Sequence, residues 1–340
     1  MDAYTLTRIK EIPKVELHLH LEGAARLDTV RELLIKRGFE TSPEKEEWTQ
    51  KDFKYQDLKH FLSIMPPVMD KVIQRPEDYN RIAQELFIDL SNQNVRYAEV
   101  SFDLARGLRI GIPFDEILSA IVSARSKIMA SHPIRIGLLI ALNRHLDFDI
   151  VTQITQIAVN SKDAGIVGID LHGDESLHSP KQYADAFKVA KEAGLGLRAH
   201  AGESVGPSSV WDAIESLGVS RIAHGVRAIE DNELIEYLIK HRIALDICPT
   251  SNFKLSVVSS LSEHPIRKLF DLGVQVTVNS DDPLFFGTSI TNEYAVLFDD
   301  LGFTFEELEK ITLNAVNGSF LGEEEKNRLR QEIENGFPKV

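Results

Sequence analysis

Short apolar, β-branched runs alternate with amphipathic helical stretches along almost the whole chain, and this alternation narrows the fold more than any other feature. Strands are predicted at Lys14 to His20, Val95 to Phe102, Ile134 to Leu142 and Ile166 to Leu171. They continue at Gly196 to Ala201, Arg221 to Val226, Ile243 to Cys248 and Val274 to Ser280. Helical spacing separates them, for example over Phe114 to Met129, Pro180 to Glu192, Ser208 to Ser216 and Asp231 to Lys240. Eight strands, each followed by a helix, predict an α/β chain closed as a TIM-type (β/α)8 barrel. The alternative is an open doubly wound sheet, which would carry a glycine-rich phosphate turn after an early strand. Here the first strand runs into His-Leu-His-Leu-Glu-Gly instead.

Two stretches exceed the simple repeat. After a helix from about Leu27 to Arg37, roughly Phe39 to Gln93 precede the second strand, and Tyr55 to Met65 carry apolar residues at helical spacing. A helical insertion of this length serves either as a lid over a site or as an extra packed helix. The tail from Thr304 to Glu334 reads as two further helices, with Gly322 ending one segment. Without repeats, low-complexity tracts or Gly/Ser linkers, residues 1–340 read as a single barrel domain.

Composition bounds the partners. A formal net charge of −14 argues against a nucleic-acid binder and leaves room for a small neutral substrate. Cys248 is the only cysteine, so no internal disulfide is available and a reducing compartment is expected. No basic-then-apolar leader opens the sequence, and no apolar run approaches the ~18 residues of a membrane span. The expectation is a cytoplasmic chain without membrane partners; oligomeric state is not legible.

In such a barrel, reactive groups sit at the carboxyl ends of the strands. The first strand ends in His18 and His20, two apart and therefore on one face. The fifth ends in His200-Ala201-Gly202-Glu203, where the glycine can break the two-residue period and turn imidazole and carboxylate into one cavity. His224 lies on the sixth, and the eighth runs into Asp281-Asp282. Singly, each has a bland reading: a packed core histidine, or a capped turn before Pro283. Jointly they place a metal at His200 and proton handling at Glu203. Three imidazoles and one carboxylate suit zinc. Strand four ends Gly-Ile-Asp-Leu-His-Gly and offers no lysine to bridge two metals, so one ion is expected, with His172 a stray candidate.

These residues bring a resemblance into view. Pro-Lys-Val-Glu-Leu-His-Leu-His-Leu-Glu-Gly, Asp-Leu-His-Gly-Asp-Glu, His-Ala-Gly-Glu, Arg-Ile-Ala-His-Gly-Val, Cys-Pro-Thr-Ser-Asn and Asn-Ser-Asp-Asp-Pro follow one another from residue 13 to 283. In this order they resemble the adenosine deaminase family of the amidohydrolase superfamily. The resemblance implies that His18, His20, His200 and Asp281 hold one zinc ion per subunit. It also implies that Glu203 donates a proton to purine N1, and that His224, with Asp281, positions and helps deprotonate the attacking water. Asp282 would meet N7 and Gly173 would offer its N–H to N3. Glu22 would stand at the ribose 5′-hydroxyl, longer than the aspartate many members carry there. Phe61, Leu62 and Met65 would form the lid. The expected substrate is an aminopurine nucleoside, adenosine first, with adenine or aminodeoxyfutalosine as alternatives. A different metallohydrolase and a decayed, non-catalytic barrel are the competing classes.

Overall fold

In the computed structural model, which describes residues 2–42 and 46–338, the eight strands pair in chain order. They are β1 Lys14–His20, β2 Val95–Phe102, β3 Arg135–Asn143, β4 Ile166–His172, β5 Gly196–Ala201, β6 Arg221–His224, β7 Ala244–Ile247 and β8 Val276–Val278. Every ladder from β1·β2 to β7·β8 is parallel, with helices between successive strands. The ring closes through backbone bonds beyond the end of β8. The His20 N–H donates to Asp281 O at 2.9 Å, and the Asp281 N–H donates to His18 O at 3.1 Å. The alternation of the sequence has therefore produced the nearly closed barrel it predicted.

Between β1 and β2 lie helices Leu27–Lys36, Leu58–Val72 and Pro76–Asn92. The long connection expected there includes residues 43–45, which lie outside the described residues. Helix Ala3–Glu11 was not expected: it buries only Ile9, too little to leave an apolar period in the sequence. Strands six to eight are shorter than their apolar runs. At β8 the reason is local, because Asn279 and Ser280 turn their side chains onto β1 instead of continuing the ladder.

The charged face read along β1 divides. A β-bulge between Glu16 and Leu19 inserts one extra residue against β2, which reverses the side-chain alternation. Lys14 donates from Nζ to the carbonyls of Ile12 and Gln93 near the Tyr294 ring, and Glu16 accepts from Ser280 N–H. His18 and His20 instead meet Asp281. The carbonyl of Leu17, freed by the bulge, accepts from the guanidinium groups of Arg198 and Arg221 in the barrel interior. Arg198 pairs with Asp170 at 2.7 Å, and Arg221 pairs with Glu99 and Asp246 at 2.5 and 2.8 Å.

Asn279 Oδ1 holds the bulge by accepting from the N–H of both Leu17 and His18, at 2.8 and 3.1 Å. Asn279→Ala would leave two buried donors unpaired. We expect a loss of about 2–4 kcal/mol in urea unfolding, and a loss below 1 kcal/mol would refute this account of the bulge.

Candidate active site

Four donor groups meet where β1, β5 and the end of β8 converge: His18, His20, His200 and Asp281, all buried, their ligating atoms within 4.8 Å of one another. The closing backbone bonds explain the meeting, since Asp281 is paired to both His18 and His20. Asp281 Oδ1 lies 3.3 Å from His18 Nε2 and 3.4 Å from His20 Nε2, and the two Nε2 atoms are 3.3 Å apart. His18 Nδ1 faces the Asp246 carbonyl at 3.2 Å and His200 Nδ1 faces the Leu171 carbonyl at 3.1 Å. A carbonyl only accepts, so the proton is assigned to Nδ1 in both rings and an Nε2 lone pair points to the shared centre. Burial lowers the pKa of His18 and takes that of His20 well below the ordinary imidazole value. Neutral imidazoles and a carboxylate crowded on one point fit a divalent metal. His172 is not one of the four; its ring stacks on His20 and its buried Nε2 has no hydrogen-bond partner.

Gly202 makes the turn after β5. Its φ is +68°, and a Cβ there would come within 2.5 Å of the Val210 side chain, so only glycine fits. Beyond it Glu203 is buried, with Oε1 3.4 Å from His224 Nε2 and no hydrogen bond to the protein. Burial, then the charges of Asp281 and Glu175, push its carboxyl well above the usual range and so favour its protonated form.

Glu175, not singled out from sequence, holds this turn. Its carboxylate accepts from the N–H groups of Gly202, Glu203 and Ser204 at 2.8, 2.9 and 3.0 Å, and from Ser209 Oγ at 2.6 Å. It stands in the quoted Asp-Leu-His-Gly-Asp-Glu, but nothing local in the sequence shows what it bonds. Gly23 is similar: a Cβ there would overlap the Asp282 carboxyl.

His224 and Asp281 both adopt φ of +62°, a left-handed backbone costing roughly 1–3 kcal/mol per residue. The surrounding bonds hold them there. Asp281 Oδ2 accepts from Ser251 Oγ at 2.7 Å, and His224 Nδ1 faces Asn252 Nδ2 at 3.3 Å. Burial and the charge of Asp281 push Asp282 well above the usual carboxylate range, while the imidazoles around Asp281 outweigh its burial and keep it ionised. Asp282 Oδ1 is buried without a partner.

The donors open into a cavity of about 320 Å³ lined by Glu22, Gly173, His172, Glu203, His224, Asp282, Phe61, Leu62 and Met65 among others. Every residue predicted for the substrate site thus faces one space. Phe61, Leu62 and Met65 come from helix Leu58–Val72, and Phe61 packs on Phe286 at 5.1 Å. Glu22 is buried and accepts at Oε1 from the Asp103 N–H at 3.0 Å.

Comparison with known proteins agrees with this geometry. An adenine deaminase of Rhizobium leguminosarum bv. trifolii is 35% identical over 318 residues, 94% of this chain and 98% of the relative. An amidohydrolase from Burkholderia ambifaria, solved with bound Zn, has a TM-score of 0.90 at 26% identity, covering 98% of this chain and 93% of its own. An Arabidopsis N6-mAMP deaminase has a TM-score of 0.87 at 26% identity, covering 96% and 99%. The family model described as adenosine deaminase matches residues 13–336, and the chain belongs to that family.

Proposed function

We propose that this protein is a metal-dependent aminopurine deaminase that hydrolyses free adenine to hypoxanthine and ammonia, working with a single zinc ion held by His18, His20, His200 and Asp281. One observation carries the reaction class: two buried carboxyls, Glu203 and Asp282, face the same cavity as the four-donor cluster, and burial raises the pKa of both.

The four donors would hold a divalent ion, whose chemistry would be to lower the pKa of water from about 15.7 towards ~7. The side chains do the rest. Asp282, protonated, donates to purine N7, an acceptor that an ionised carboxylate would repel. Glu203 gives its proton to N1, so the C6=N1 electron pair moves to N1 as the new C6–O bond forms. The proton leaving the attacking water goes to Asp281. In the second half-reaction Asp281 returns that proton to the 6-amino group, the C6–N bond breaks and ammonia departs. Glu203 recovers its proton from the C6 hydroxyl as the carbonyl forms.

The substrate expectation moves from adenosine to adenine. A relative named adenine deaminase supports this, and so does Glu22, whose buried side chain occupies the cavity wall where the resemblance puts the sugar hydroxyl. An ultraviolet assay of zinc-replete protein is expected to show kcat/KM for adenine exceeding that for adenosine by about 10²-fold. Greater activity on adenosine, deoxyadenosine or aminodeoxyfutalosine would overturn the substrate choice. No turnover of any of them would return the chain to the competing classes, another metallohydrolase or a non-catalytic barrel. Against the latter stands the presence of every donor and of the acid.

A further inference from the structure

A directed chain of hydrogen bonds reaches His224 from outside the barrel, and its direction is not a free choice. It begins at a backbone group, the N–H of Ile266, which donates to His264 Nδ1 at 3.1 Å. An accepting Nδ1 leaves the proton of the neutral ring on Nε2. His264 is buried, and burial lowers its pKa to about 3, so it remains neutral throughout the working range. Its Nε2 faces Asn252 Oδ1 at 3.2 Å, which fixes the orientation of that amide. Asn252 Nδ2 must then donate to His224 Nδ1 at 3.3 Å. Neither Asn252 nor His264 lines the cavity.

We infer that Asn252 and His264 are positioning residues that lock His224 as the Nε2–H tautomer, so that His224 donates a hydrogen bond into the site and Asp281 alone accepts the proton of the attacking water. The geometry at the far side of the ring agrees. His224 Nε2 faces two carboxyl oxygens, Glu203 Oε1 at 3.4 Å and Asp281 Oδ2 at 3.9 Å. A ring with its lone pair at Nε2 would face the Asp281 carboxylate acceptor against acceptor, whereas a ring with its proton at Nε2 is complementary to Asp281 and to the carbonyl oxygen of the Glu203 acid. This revises the expectation that His224 shares the deprotonation. The tautomer lock stands on these contacts alone, whereas the role of Asp281 as sole proton acceptor and the kinetic half of the test rest on the proposed deaminase reading.

The decisive change is Asn252→Asp, which alters one group and preserves shape. A carboxylate at this position presents only acceptors, so it would accept a hydrogen bond from Nδ1–H of His224 and select that tautomer, leaving a lone pair at Nε2. Nitrogen-15 histidine spectra of the zinc-loaded protein, with His224→Gln used to assign the signals, should show His224 protonated at Nε2 in the natural sequence and at Nδ1 in the variant. In the deaminase assay the Nδ1–H tautomer should lower kcat by about 10³–10⁴-fold, the scale of a wrong-tautomer histidine, with KM changed less than about threefold. His264→Ala, which releases the amide, should give a mixture of tautomers and an intermediate loss. A natural protein with His224 protonated at Nδ1 overturns the proposal whatever the substrate. So does an Asn252→Asp variant in which His224 becomes protonated at Nδ1 while kcat is unchanged. If the spectra show the Nε2–H form but no purine is turned over, the tautomer lock stands and the deaminase reading falls.

Discussion

Glu203→Gln is expected to lower kcat by about 10³–10⁴-fold while the protein keeps its metal. Glutamine matches glutamate in shape but carries no transferable proton, and positioned proton transfer of this kind typically contributes ~10²–10⁴-fold. The upper part of that range is appropriate because the other carboxyl in the cavity, Asp282, is engaged at N7 and the remaining neighbours cannot stand in for Glu203. Asp281 is ionised, and His224 Nε2 already lies against Glu203 Oε1 at 3.4 Å. Metal retention follows from geometry, since Glu203 is outside the set formed by His18, His20, His200 and Asp281. The acid works only when protonated, and its pKa is raised, chiefly by burial. Activity should therefore decline as pH rises through that raised value. The residual rate of the glutamine variant should lack this alkaline decline. Loss of zinc from the variant, measured by metal analysis, would instead make Glu203 a ligand and remove it from the role of acid.

What could be read beforehand and what could not divide along a physical line. The alternation of apolar runs with helical spacing specified the barrel, because the period of each element reports its buried face. The same logic located His18, His20, His200, His224 and Asp281 at strand ends, and Gly202 signalled the turn that separates His200 from Glu203. Where alternation failed, a distant side chain had intervened. The face of β1 divides at a bulge held by Asn279, 262 residues along the chain. The turn after β5 is fixed by Glu175 from the β4 loop, and the tautomer of His224 by His264 through Asn252. These are hydrogen bonds between residues with no shared local pattern, so a single sequence carries no signal for them beyond the presence of polar residue types. The chain offers many of those. The substrate was least legible for the same reason: Glu22 is visible in Leu-Glu-Gly, but its contact with the Asp103 backbone, which fixes its place in the cavity wall, is not.

Removing the metal should have the other large effect, and on two measurable quantities. Activity is expected to fall below about one thousandth of its starting value after dialysis against a chelator, because no side chain in the cavity replaces what the ion does for water. Stability should fall as well. A ligand that binds only the folded state stabilises it by RT ln(1 + [L]/Kd), about 4 kcal/mol when the free ion stands at a thousand times its dissociation constant. Here the folded site also gains from occupancy directly. The Nε2 atoms of His18 and His20 stand 3.3 Å apart, each within 3.4 Å of Asp281 Oδ1, and a cation among them turns that crowding of lone pairs into attraction. The urea midpoint should therefore drop on chelation and recover, together with activity, on adding Zn2+. His18→Ala supplies the control: it should unfold at the same midpoint with and without added ion, since one ligand and its lone pair are gone. A chelated natural protein that keeps both its midpoint and its activity would mean that the four buried donors hold one another through protons alone. The deaminase reading would then have lost the source of its nucleophile.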